Sequence, residues 1–457
     1  MKKLVTLLAA AGMVVAASAP ANAVDVKLDA RYRTSFGLMQ GFDGTNSESI
    51  NHRMRLGLTM AASENLSAYV QFQLNHGNQW GNVDKHGRNQ ANDVTVRMMY
   101  LDWTVPGTAI KVRSGRHQLG LPEEAFGTNS ILGGGYGNRE GIVVTAPVTD
   151  NFGITAIWTR LAVAGSHYDY EKWAVQNLTD TDKANNDDMF ALAANLKFDG
   201  FSGAVYAAYA ALDNDEAYKA VDLVPGLDKK DPLKKFPHKA AAAANTGWND
   251  GRPAGEGDAY WVGFTSTMSF FDPFTLKLSA AYGTFEAQDS ANDTDGWNVQ
   301  AKASYKTAFG TPVLGGWYIS GMDEDGEGYM PNAGYWAGTN HLYDGYACLV
   351  NPSMVNNDGN WAVQAGIEGM SFLSGLTHDF HVTYMKGTND EVHAGDVFLT
   401  EDDAVVEFTL NNVYKMYKNL SVRLELAYVI NDFGDATTAA KGDDDDWFAG
   451  LTFDFRF

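Results

Sequence analysis

Seven basic side chains recur in step in the first quarter of the chain: Arg31, Arg33, Arg53, Arg55, Arg97, Lys111 and Arg113. Each lies on the polar face of a segment in which apolar and polar residues alternate, and an extended strand puts alternate residues on one face. That spacing builds a charged wall, whose chemistry is electrostatic: it orders water and penalises apolar solutes. Catalysis has far less support, and no catalytic residue is assigned. His52 and His378 fall on apolar faces by parity. His117, His238 and His341 lie in or at the start of loops, without the cysteine or paired-histidine spacing of a metal site. An acyl hydrolase would need a serine and a histidine brought together in space. Cys348 is the single cysteine, so an intramolecular disulfide is impossible.

Two further clusters invite chemistry. The stretch 117–139 is rich in glycine, with Gly120, Gly127, Gly133, Gly134, Gly135 and Gly137. It lacks the strand, lysine and helix context of a phosphate cradle, whereas a loop folded compactly against neighbouring backbone uses the same glycines. Asp323, Glu324, Asp325 and Glu327, and the run Asp443 to Asp446, are dense in hard oxygen donors. A solvated acidic loop is the first reading of both. Structural Ca²⁺ on Asp323, Asp325 and Glu327, or divalent bridges to lipopolysaccharide phosphates, is the second, because the spacing is not that of an EF-hand.

The elements that must position these residues are strands of about ten residues, the length that crosses a bilayer when tilted. Val24, Val26, Leu28, Ala30, Tyr32, Thr34 and Phe36 share one face, while Asp25, Lys27, Asp29, Arg31, Arg33 and Ser35 share the other. The pattern recurs at 51–60, 66–75 and 420–428. The segment from Val94 to Trp103 breaks it with Met98, Met99, Tyr100 and Leu101, and burial on both faces, against a neighbouring subunit or a folded-in loop, would explain that. Eight short turn signals, such as Pro106-Gly107 and Asp199-Gly200, alternate with nine long polar stretches, the first spanning 37–50. Seventeen connections make eighteen strands, with sixteen as the alternative. The expected fold is all-β: a transmembrane antiparallel up-and-down barrel around an aqueous lumen, with short periplasmic turns and long outer loops. Hydrocarbon offers no hydrogen-bond partners, so a strand-rich chain crosses it only as a closed ring.

The two ends agree. Lys2 and Lys3, an apolar run to about Ala17 and Ala21-Asn22-Ala23 form a secretory leader, 1–23, leaving 24–457 as a single barrel domain. The last strand carries Trp447, Ala449, Leu451, Phe453, Phe455 and Phe457 on one face. Left unpaired, a strand so apolar would aggregate, unless closure pairs it with the first. The formal net charge is −22, and losing the leader lysines makes the chain more acidic still, which excludes nucleic acid as a partner.

In these stretches the sequence resembles the general trimeric porins, and the homotrimeric porins of sulfate-reducing bacteria (the Desulfovibrio type) cover it more fully. Met54-Arg55-Leu56-Gly57-Leu58 is similar to the second-strand segment that supplies a wall arginine. Gly115-Arg116 resembles the opening of the constriction loop, Leu121-Pro122-Glu123 its interior, and Arg139 before Gly141 its close. The resemblance implies a loop, about 117–139, folded into the lumen, with Glu123 and Glu124 as its carboxylates facing Arg55, Arg116, Arg139 and the other wall arginines. It implies a homotrimer, and terminal Phe457 resembles the signal read by barrel-assembly machinery. The expected protein is a porin of the Gram-negative outer membrane, in contact with lipid and lipopolysaccharide, passing small hydrophilic solutes and ions. A solute-selective channel, with a sugar slide or an anion ladder, is the alternative. The acidic total and the basic early strands push ion selectivity in opposite directions.

Overall fold

The computed structural model describes residues 24–74, 94–127, 129–132, 138–163, 168–169, 174–175, 186–212, 257–287, 293–325, 327–331, 339–342, 359–394 and 397–457. The proposed leader lies outside these residues, as does Cys348. Eighteen strands form one sheet: β1 (Asp25–Gln40), β2 (Asn46–Ser63), β3 (Leu66–Leu74), β4 (Val94–Thr104), β5 (Lys111–Gln118), β6 (Asn138–Pro147), β7 (Phe152–Val163), β8 (Asn186–Phe198), β9 (Phe201–Leu212), β10 (Gly257–Phe271), β11 (Phe274–Ala287), β12 (Thr294–Tyr305), β13 (Thr311–Ile319), β14 (Asn360–Leu373), β15 (Leu376–Gly387), β16 (Ala404–Tyr417), β17 (Leu420–Asp432) and β18 (Asp446–Arg456). Each pairs antiparallel with the next. β18 pairs with β1, from Arg31 opposite Arg456 to Gln40 opposite Trp447, so the sheet closes. Closure leaves no edge strand. The seam ends where Phe457 and Ala30 exchange backbone hydrogen bonds of 3.1 and 3.0 Å.

All eight short turns sit at one rim and the longer connections at the other. The first loop is much shorter than 37–50, because β1 and β2 run on to Gln40 and from Asn46. Its Phe42 is buried, 5.1 Å from the Phe433 ring and 5.9 Å from Phe398, and so ties three loops together. The short helix α1 (Asp435–Lys441) adds a second tie, as Lys441 Nζ donates to the carbonyls of Val397 and Phe398 at 2.6 and 2.8 Å.

Period two appears directly in the exposure of alternate residues. Val205, Val262, Val299 and Leu314 stand out on the outer wall, while Tyr206, Trp261, Gln300 and Trp317 are buried inside. At the outer wall near the loop rim, aromatic rings pair across strands: Tyr209 with Tyr260, Tyr282 with Trp297, Trp361 with Tyr384. At the turn rim Phe271, Phe372 and Tyr417 are exposed. Two belts of amphipathic rings are what a bilayer's two interfaces select.

The irregular segment of β4 has a different cause from burial on both faces. Gln71 faces Met98 and the adjacent Phe72 faces Val96, so Arg97 is one residue too many for its partner strand. This bulge flips the alternation. Before it, Val94 and Val96 are exposed outward; after it, Met99 and Leu101 are. The extra residue lets Arg97, Tyr100 and Asp102 all take the inner face.

Candidate functional site

The inner face of β1 to β6 is polar and rich in guanidinium groups. Arg31 stands opposite Arg55, and Arg33 opposite Arg53. Like charges directly across a strand pair repel, so each needs compensation. Arg31 makes a two-pronged pair with Asp454 of β18, at 2.8 and 2.7 Å. Arg113 does the same with Asp102, at 2.6 and 2.7 Å. Arg55 and Arg97 are held differently: Arg55 Nε donates to Gln73 Oε1 at 2.7 Å, and Arg97 Nη1 to Gln71 Oε1 at 2.8 Å. An amide oxygen orients a guanidinium without cancelling its charge, and both side chains stay half-exposed toward the lumen. Arg33 is buried beside Ser35 and Asn51, Arg53 is half-buried, and Arg139 lies opposite His117 on β5. Lys111 is exposed near the turn rim.

The loop between β5 and β6, in its described residues 119–127 and 129–132, reaches across the lumen to the opposite wall. Ala125 N–H donates to Ser279 Oγ of β11 at 3.1 Å and Phe126 N–H to Gln300 Oε1 of β12 at 3.0 Å. The Phe126 ring meets Trp317 of β13 edge-on at 4.9 Å. Glu124 is the hub of this docking. It accepts from Ser130 N–H and Oγ–H at 3.1 and 2.6 Å, from Asn298 Nδ2 at 3.2 Å, and from Gln300 Nε2. Burial pushes its carboxyl above the ordinary range, against the pull of these four donors. Inside the loop, Asn129 Oδ1 accepts from Ile131 and Leu132 N–H, and Leu121, Ile131 and Leu132 pack in an apolar cluster with Leu119 and Phe126.

Other loop segments cover more of the same wall. Trp261 Nε1 donates to Pro331 O at 2.8 Å, Thr294 Oγ1 to Tyr329 O at 2.6 Å, and Met330 is buried between them. Farther round, buried Glu407 of β16 accepts from three successive backbone N–H groups, those of Asn340, His341 and Leu342, at 2.6, 3.2 and 3.0 Å. His341 lies buried 2.8 Å from Asp446. The inner faces of β9, β10, β11 and β13 are therefore largely apolar in the loop half, with Ala208, Ala210, Leu212, Trp261, Phe285 and Ile319 in the cluster, whereas β12 turns Thr294, Asn298 and Gln300 inward. In its loop half the covered wall is thus packed as a core, while the guanidinium-rich wall is β1 to β6.

Two predicted site residues, Arg116 and Glu124, stand elsewhere than expected. Arg116 keeps the outward parity of Met99, its cross-strand partner, and pairs at 2.6 Å with Glu140, whose side chain is 64% exposed. Strand alternation carries it away from the lumen. Glu124 anchors the crossing loop instead of facing arginines, while its neighbour Glu123 is exposed. Asp323 spends one carboxylate oxygen on the N–H groups of Asp325 and Glu327, at 3.2 and 2.9 Å. Among the described residues no three His, Cys, Asp or Glu side chains converge as a metal site. Gln71, Gln73, Asp102 and Asp454 are the partners of the arginines; the inward parity of Gln71, Gln73 and Asp454 is readable in the sequence, whereas that of Asp102 depends on the bulge at Arg97.

No protein-family model matches the sequence, and no curated protein does. Solved structures do match. Pseudomonas aeruginosa OccK1 (OpdK) superposes with a TM-score of 0.55 at 12% identity, over 95% of this chain and 98% of that one. OccK2 (OpdF) of the same organism gives 0.55 at 13% identity, with 95% and 98% covered. OprD gives 0.54 at 12%, with 95% of each chain covered. The fold they share with this chain is a closed, eighteen-stranded antiparallel β-barrel. At these identities the likeness is one of architecture; the residues of the barrel's wall and loops speak for themselves.

Proposed function

We propose that this protein is a channel of the Gram-negative outer membrane that passes small hydrophilic solutes, and that its lumen favours anions. The observation that carries the anion reading is the wall of β1 to β4. Arg55 and Arg97 are oriented by amides, so their charge remains available to a solute, beside Arg33 and Arg53. The opposite wall is closed off by the crossing loop and the segments docked on Trp261 and Glu407, which directs permeation along the arginines. Fixed cations lining a narrow aqueous path raise the local concentration of anions. The turns face the periplasm and the loops the exterior, as the two aromatic belts and the alternation of connection lengths support. The resemblance to trimeric porins supports a homotrimer, which native mass measurement in detergent tests. No step of this reading needs a catalytic group, and purified protein is expected to leave phospholipid intact.

Reversal potentials of the purified protein in planar bilayers under a KCl gradient test the anion reading. Chloride is expected to permeate faster than potassium. A potassium preference would overturn it.

A further inference from the structure

Four charged side chains stand in a row on the lipid-facing side of β5 to β8, close to the loop rim. Arg116 of β5 pairs with Glu140 of β6 at 2.6 Å, and Arg160 of β7 makes a two-pronged pair with Asp188 of β8 at 2.9 and 3.0 Å. Register sets them at one height. Arg116 lies opposite Glu140 and Arg160 opposite Asp188, while the pairing of Gly141 with Thr159 brings Glu140 beside Arg160. All four point outward, because their chain neighbours His117, Gly141, Thr159 and Met189 are buried on the inner face. Toward the turn rim the outward positions of the same strands carry Val112, Ile142, Val144, Ile154, Leu192 and Leu196, and no charge.

Such a row tolerates only one depth. A charge facing lipid is costly at the bilayer midplane and nearly free among the headgroups. Trp158, one outward position below Arg160, marks that boundary, and its ring centroid lies 5.6 Å from the Arg160 guanidinium carbon. The row therefore meets the headgroups of the exterior leaflet.

The chemistry of the row selects among headgroups. Both cations are arginines, whose planar forks match pairs of phosphate oxygens. Of the five N–H groups in each guanidinium, Arg160 spends two and Arg116 one on partners among the described residues, so both keep donors for a ligand. Glu140, 64% exposed and held by that single contact, is the member a phosphate displaces. Neighbouring strands lie about 4.8 Å apart, which anchors the arginines of β5 and β7 roughly 10 Å from each other, the scale of a disaccharide.

We propose that Arg116 and Arg160 form a docking site for a lipid whose headgroup is a disaccharide phosphorylated at both ends, the lipid A portion of lipopolysaccharide. Its acyl chains run down the wall over Ile142, Ile154 and Leu192. This rests on the placement in the outer membrane proposed above, with the loops outside, and is independent of the anion reading.

The test is a titration of the full-length channel, stripped of lipid in detergent, with bound lipid counted by native mass spectrometry. Lipid A is expected to bind at a concentration roughly tenfold lower than cardiolipin, which also carries two phosphates but joins them through glycerol; that is the size of one charge-assisted hydrogen bond. R116Q/R160Q is expected to lose the gap. K386Q, which removes an outward cation on the far side of the barrel, is expected to keep it. Heat-shifted gel mobility checks that both variants are folded. Equal binding of the two lipids by the wild type would overturn the proposal, as would a gap that survives in folded R116Q/R160Q or vanishes in K386Q. Loss of an oligomer in R116Q/R160Q with the gap intact would assign the row to an interface between copies instead. An epitope placed at Thr45 and reached by antibody on intact cells, with no preference for lipid A, would sink this site and leave the membrane placement standing. An epitope masked on intact cells would sink the placement itself.

Discussion

The two halves of the barrel wall share one backbone design and use it oppositely. Against β9 to β18 the carboxylates of Glu124, from the crossing loop, and Glu407, from the wall, are buried and spent on backbone, hydroxyl or amide donors that fasten loops. Around β1 to β5 the inward arginines other than Arg33 are half-exposed, and two of them are held by neutral amides. Burial with full hydrogen bonding converts a charge into a fastener; partial burial beside an amide leaves it a field source. The net charge of −22 therefore says little about the path a solute follows.

Removing the strongest fastener is the most severe way to break this contrast. E407A would orphan three buried N–H groups and is expected to lose about 3 kcal/mol of stability, with a lower thermal midpoint and a larger, noisier conductance. An unchanged midpoint and trace would show that segment 339–342 is held by something else. On the other wall, R55Q/R97Q is expected to lower the chloride-to-potassium permeability ratio several-fold, about 1 kcal/mol in energy terms. R116Q, which changes charge on the outer face, should leave that ratio alone. Equal effects from the two variants would erase the distinction between inward and outward arginines.

A milder probe is pH. Because burial raises the Glu124 carboxyl, the native state binds its proton more tightly than the unfolded chain does. Its stabilising contribution is then complete below the ordinary carboxylate range and declines as pH rises through the raised value. The crossing loop should thus be held more firmly in acid, seen as quieter single-channel current, and E124Q, neutral at every pH, should lose this part of the dependence. Retention of the full pH response in E124Q would remove Glu124 as its source.

Much of the wall was legible in advance and much of the loop chemistry was not. Arg31, Arg33, Arg55 and Arg113 could be placed inward because parity is a local property. Arg116 was misplaced by letting a short motif outweigh that same parity. The two neighbouring glutamates of the crossing loop have identical chemistry in the sequence. Only Glu124 meets Asn298 and Gln300, and nothing near it in the chain announces partners 174 and 176 residues away. The bulge at Arg97 was visible only as a disturbed pattern, since a run of apolar residues reads the same for double burial as for one inserted residue.

By itself the amino-acid order narrowed the strand count to eighteen or sixteen and determined the turns and, outside the bulged β4, the sense of each face, because a period of two and a tight turn need only near neighbours in the chain. Tertiary structure alone decided which inward groups are sealed and which stay wet. That depends on where loops of very different length come down across an eighteen-stranded ring, and such contacts are set by closure in space, which no local pattern encodes.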